Sequence, residues 1–137
     1  VFLLTIFTPP SALRTYVSPS FQHSFGHNYA VSVAPPLQGT RDFDGFTAHM
    51  ASMTPRLQSA KNTVTEATVD EVQMQVVLRV KFLMLAKGAK EEDVVENDVL
   101  WVIGMEGSAE GGVKIVRSVE FVDGMAAGRL RELMMRE

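Results

Sequence analysis

Hydrophobic and polar positions along this chain change period, and the changes mark its elements. Over residues 72–85 they alternate strictly: Val72, Met74, Val76, Leu78, Val80, Phe82 and Met84 against Gln73, Gln75, Val77, Arg79, Lys81, Leu83 and Leu85. A period of two sustained this long predicts a strand with one fully apolar face. Residues 63–69 are β-branched and half polar and predict a second strand, joined to the first by a tight turn at Asp70 and Glu71. A third strand is expected from Glu96 through Val99, Leu100, Trp101, Val102 and Ile103 to Met105, and a fourth from Val113 to Asp123 after the glycine-rich turn 106–112. Sequential strands joined by turns predict an antiparallel meander.

Helical spacing flanks the strands. Ser11 can cap a short helix with Leu13, Tyr16 and Val17 at i, i+3 and i+4, closed by Pro19. Thr40 is the expected cap of a helix over 41–53, with Asp42 in its first turn and Phe43, Phe46, Met50 and Met53 forming one apolar stripe before Pro55. Asp42 and His49 stand on one edge of that helix, beside the stripe. Residues 124–137 carry a last helical face of Ala126, Ala127, Leu130, Leu133 and Met134. Residues 18–39 have loop composition with Phe21, Phe25 and Tyr29 as buried anchors, and a loop of this length suits a lid or binding segment. Residues 1–7 are apolar and read as a first strand or the tail of a helix that begins outside the chain. Helices followed by a meander give the α+β order, in which a curved sheet wraps a helix layer around one core.

Composition narrows this without naming a function. With 137 residues, 46% hydrophobic, the chain is expected to be a single domain over 1–137. The net charge of -3 and the scattered basic residues exclude the footprint of a nucleic-acid binder. The apolar run 1–7 is too short to cross a bilayer, so no membrane partner is expected. The absence of cysteine removes disulfides and thiolate chemistry and fits a reducing compartment, so a cytoplasmic location is expected.

Proton chemistry then falls to few residues. His23, His27 and His49 are the only side chains that ordinarily titrate near neutrality. Glu120 and Asp123 close the fourth strand, but strict alternation puts them on opposite faces, so both line one cavity only if a bulge or the strand's end turns one of them. Asp123 directly precedes a helix and is a natural N-cap, while Glu120 could pair across strands with Arg79 or Lys81. His23 and His27 with Asp42 or Asp44 are acceptable zinc ligand types, yet one i, i+4 pair in a loop is too little, and no metal is expected. Tyr29, Phe46, Met50 and Trp101 are candidate substrate contacts, as adaptable aromatic and methionine surface suits a bulky apolar ligand and an ordinary core alike.

Several short motifs carry a resemblance: Phe21-Gln22-His23, Phe46-Thr47-Ala48-His49-Met50 with Met53-Thr54-Pro55, Asp70-Glu71-Val72, Glu96-Asn97-Asp98, and Lys114-Ile115-Val116-Arg117 with Glu120-Phe121-Val122-Asp123. In these and in element order the chain resembles the nuclear-transport-factor-2-like proteins. The likeness is greatest to the small SnoaL-like proteins of fungal secondary metabolism, which include isomerases, cyclases and epoxide-opening enzymes. The resemblance implies a cone-shaped α+β fold: a curved antiparallel sheet packed on N-terminal helices, with a C-terminal helix. The family's long first helix would here be truncated, leaving Phe2 to Phe7. It implies an acid-base enzyme without cofactor, acting on a hydrophobic polyketide- or terpenoid-like molecule by isomerisation, cyclisation, dehydration or epoxide opening. His23, which matches the early-loop histidine, or Asp123 would be the base, while Glu120, His49 or Tyr29 would supply the acid or hold an oxyanion. It also implies a homodimer through the outer sheet face, where Gln73, Gln75, Val77, Leu83 and Leu85 lie. The alternative is a non-catalytic ligand-binding or dimerisation module, favoured by the shortened start and by the lack of a nucleophile motif such as Gly-x-Ser-x-Gly.

Overall fold

The computed structural model describes residues 10–136. The expected element over 1–7 lies outside them. In chain order the elements are α1 (Pro10–Arg14), β1 (Val17–Gly26), α2 (Asn28–Ser32), α3 (Phe43–Met53), β2 (Leu57–Asp70), β3 (Gln75–Ala86), β4 (Val95–Gly107), β5 (Val113–Phe121) and α4 (Gly124–Met134), with 3-10 turns at Pro35–Leu37, Thr54–Arg56 and Glu91–Asp93. The sheet runs β1-β5-β4-β3-β2, open at both edges. Strands β2 to β5 form the expected antiparallel meander.

The segment expected to be a loop over 18–39 departs from that reading, because its first part is β1, paired in parallel with β5. Phe21, His23 and Phe25 alternate with Gln22 and Ser24, a strand pattern obscured by Pro19. Pro19 is accommodated because the ladder is interrupted there: pairing jumps from Val17 with Ile115 to Gln22 with Arg117. The outer edge of β1 is closed by Arg41, whose N–H and C=O exchange hydrogen bonds of 2.8 Å with His23. This contact holds Arg41 extended, so α3 starts later than the expected Thr40 cap allows. Asp42 caps it, accepting the Gly45 N–H at 2.8 Å.

The alternation holds from Gln75 to Met84, with Val80, Phe82 and Met84 buried on the inner face, whereas Val72, expected on that face, is 95% exposed in the turn before β3, and Leu85, expected outside, is buried where the strand ends. Asn97, Val99 and Trp101 of β4 face the same way. Helix α3 lies against β1 and α4 against β3 and β4. Phe46, Trp101, Val99 and Leu130 join one core beneath them. Burying large apolar side chains contributes roughly 1.5–3 kcal/mol each, and it fixes how far the helices sit from the sheet.

Candidate active site

The site is built first by a bulge. Along β4 and β5, Met105 pairs with Ile115 but Gly104 with Arg117, so Val116 has no partner. One extra residue reverses which face the following side chains meet. Ile115 is buried before the bulge, and Ser118, Glu120 and Val122 are buried after it. Glu120 therefore points inward, away from Arg79 and Lys81, which pair on the outer face with Asp98, Glu66 and Glu96.

Inside, His23 is 0% exposed and meets both polar residues of β5. Its Nδ1 lies 2.9 Å from the Ser118 hydroxyl. Its Nε2 faces Glu120 Oε2 at 3.5 Å, and neither of these buried atoms has a hydrogen-bond partner. The indole N–H of Trp101 donates to the same Ser118 oxygen. An indole N–H can only donate, so the hydroxyl hydrogen remains for His23 Nδ1, and the imidazole hydrogen falls on Nε2, toward Glu120. The rings of Phe25 and Phe46, with centroids 4.8 and 4.6 Å from that of His23, fix its plane.

A cavity of about 420 Å³ opens between α3, α4 and the sheet. Phe82, Met84, Val99, Val122, Leu130, Met50 and Met134 make it apolar, and Glu120 is the one carboxylate among its described lining residues. His49 of α3 lines the same cavity, its ring 5.3 Å from Phe25. Burial holds the His49 pKa below the ordinary value, and the nearby positive charge of Arg41 lowers it further, against an opposing effect of Glu120. His49 is thus an uncharged imidazole at neutral pH.

The structure brings His49, Glu120 and Met50 to the cavity and sets His23 directly behind Glu120. It does not bring the other candidates there. Tyr29 is 81% exposed on α2. Asp123 is exposed and caps α4, accepting the N–H groups of Met125 and Ala126 at 2.9 and 3.2 Å. Phe46 and Trp101 pack behind the cavity in the core, against His23 and each other. Ser118 was not singled out in the sequence, and Asn97 only as part of the motif Glu96-Asn97-Asp98, without a role. Asn97 stands among Val95, Val99 and Trp101 on an alternating apolar face, and a lone polar residue in such a row was the available signal. Its Oδ1 accepts the Asp123 N–H at 2.9 Å and ties the β5 exit to β4. Among the described residues no three His, Asp or Glu side chains are placed to hold a metal ion.

No family model matches the sequence, and no curated protein matches it significantly. Solved structures do match the fold. BvnE pinacolase from Penicillium brevicompactum superposes with a TM-score of 0.70 at 14% identity, covering 90% of this chain and 80% of that one. An NTF2-like protein of unknown function from Burkholderia pseudomallei K96243 matches with a TM-score of 0.66 at 14% identity, over 93% of this chain and 86% of that one. The chain has the NTF2-like fold. PrhC from Penicillium brasilianum NBRC 6234 matches with a TM-score of 0.69 at 12% identity, over 91% and 76%. In this NTF2-like cone the cavity lies between the concave sheet and the helices, with Glu120 on its sheet wall.

Proposed function

We propose that this protein is an acid-base enzyme for a hydrophobic polyketide- or terpenoid-like small molecule, with Glu120 as the group that takes and returns a proton. The observation that carries the reading is a buried carboxylate, 8% exposed, at the wall of an apolar cavity and backed by a fully buried histidine. A carbon acid seated against Glu120 would lose its proton to the carboxylate, and the same group would return it at another position or pass it to a leaving oxygen. The His23 N–H would hold the carboxylate in place through each cycle, itself held by Ser118 and Trp101. His49, uncharged and on the helix wall, would supply the second proton-transfer group. Isomerisation, cyclisation, dehydration and epoxide opening can all use this pairing, and the pinacolase among the structural neighbours is consistent with rearrangement chemistry in such a cone.

The test is proton exchange, which needs no knowledge of the full reaction. A panel of apolar cyclic ketones incubated with the protein in D2O should exchange α-hydrogens, followed by NMR, with Glu120→Gln slowing exchange by about 10²-fold or more. Equal exchange by the variant would sink the assignment. A ligand-binding module is the second reading, and it has support in the engagement of Asn97 by the protein itself, which leaves one polar residue of the cavity floor in a structural role. Tight binding of the same ketones without exchange would favour it. Pairing of two copies through the outer face, where Val77 and Leu83 are half-buried beside the Arg79 and Lys81 ion pairs, belongs to the same proposal.

A further inference from the structure

The cavity is chemically polarised from floor to mouth. Glu120, Asn97, Phe82 and Val99 form the inner part and are buried or nearly so, whereas Arg56 and Arg131 also line the cavity and are exposed, which puts them at its mouth. They reach it from separate elements, the turn Thr54–Arg56 after α3 and the last turn of α4.

Neither guanidinium has an ion pair or side-chain hydrogen bond among the described residues. Of the other arginines, Arg14 pairs with Asp44, Arg79 with Asp98 and Glu66, and Arg129 with Asp93 and Glu132, while Arg41 and Arg117 make hydrogen bonds to Pro36 and Gln75; none of these five lines the cavity. Local sequence explains part of it. The helical neighbours of Arg131 at i±3 and i±4 are Ala127, Gly128, Met134 and Met135, none of them acidic, while Arg129 has Glu132 one turn on. In a chain with 16 acidic and 13 basic residues, two unpaired arginines converging on one apolar cavity are a local reversal of the overall charge. The lining carries two fixed positive charges at the rim and one carboxylate within, so a wholly neutral ligand leaves the rim uncompensated.

We propose that the ligand of this cavity is an apolar molecule with an anionic end, a carboxylate or an equivalent group, held at the mouth by Arg56 and Arg131 with its apolar body directed inward to Glu120. The inference rests on the functional reading above and adds orientation to it. An anion clamped at the rim is held away from buried Glu120, so the reacting carbon lies at the apolar end of the molecule. Met134 and exposed Met135 beside Arg131 supply adaptable apolar surface for the stem next to the anion.

Two fluorescent probes that differ by one sulfonate separate the terms: 8-anilinonaphthalene-1-sulfonate and uncharged N-phenyl-1-naphthylamine. Titrated into the full chain at low salt, the sulfonate should bind about three- to tenfold more tightly, the range set by a pair of partly exposed guanidinium contacts. The double substitution Arg56→Gln, Arg131→Gln should bring the two dissociation constants together, and added salt should narrow the gap in the unaltered protein. Ala127→Trp, which fills the cavity, should abolish binding of both. Equal binding of the two probes to the unaltered protein, both blocked by Ala127→Trp, overturns the anionic ligand and leaves the apolar site and the proposed function standing. Failure of both probes to bind, or binding indifferent to Ala127→Trp, overturns both.

Discussion

One hydroxyl oxygen, that of Ser118, satisfies two buried groups at once, the indole N–H of Trp101 and Nδ1 of His23. Ser118→Ala removes both partners and leaves two buried polar atoms unpaired, so it should cost about 1–3 kcal/mol for each group so exposed, read as a lowered urea midpoint. It should also free the His23 ring to take the other tautomer, seen as a change in its ¹⁵N shifts. His49 permits a sharper test. Its pKa lies below the ordinary 6.5 because of burial and the Arg41 charge. Arg41→Gln removes the second cause while retaining the backbone bridge to His23, so NMR titration should find the His49 pKa raised. The unfolded chain takes up a proton at His49 that the folded one refuses, hence His49 makes stability fall as pH drops through 6.5 and level off below the lowered value. At this scale the residue types were legible: His23, His49 and Glu120 stood out as rare proton carriers. Their grouping was not, because Ser118 and Asn97 acquire meaning only when neighbouring strands bring partners to them.

Strand β1 and the bulge at Val116 carry the site. The β1 pattern was readable in principle, but Pro19 and the nearby glycine and histidines gave residues 18–39 the composition of a loop, and its ladder partner lies some hundred residues on in the sequence. The junction at its end is tight. A β-carbon at Gly26 would stand 2.3 Å from Phe121 Cε1, with Gly26 and Phe121 paired in the ladder. Gly26→Ala should therefore lose about 1–3 kcal/mol in denaturant unfolding, and Phe121→Leu in the same chain should recover part of it. Just beyond this end of β5, Asp123→Ala removes the α4 cap and should cost about 1 kcal/mol, whereas Asp123→Asn, an equally good cap, should cost much less. Helix α4, its cap and the β3 alternation were all legible, since each is set by residues within a few positions of one another.

For the molecule as a whole, the proposed homodimer predicts about twice the 15.1 kDa chain mass in light scattering. A single-chain mass at micromolar concentration would remove it. Among the described residues no helix is long and apolar enough to cross a membrane. The sequence alone determined the α+β class, the order of the meander, the closing helix and the apolar inner face, because hydrophobic periodicity and capping act over one or two turns and need no distant partner. Tertiary structure alone decided that β1 joins the sheet in parallel, that one unpaired residue turns Glu120 inward toward His23, and that Arg56 and Arg131 meet at one cavity. Those outcomes depend on register and on packing between segments far apart in the chain, where a shift of one residue exchanges the inner and outer faces of a strand.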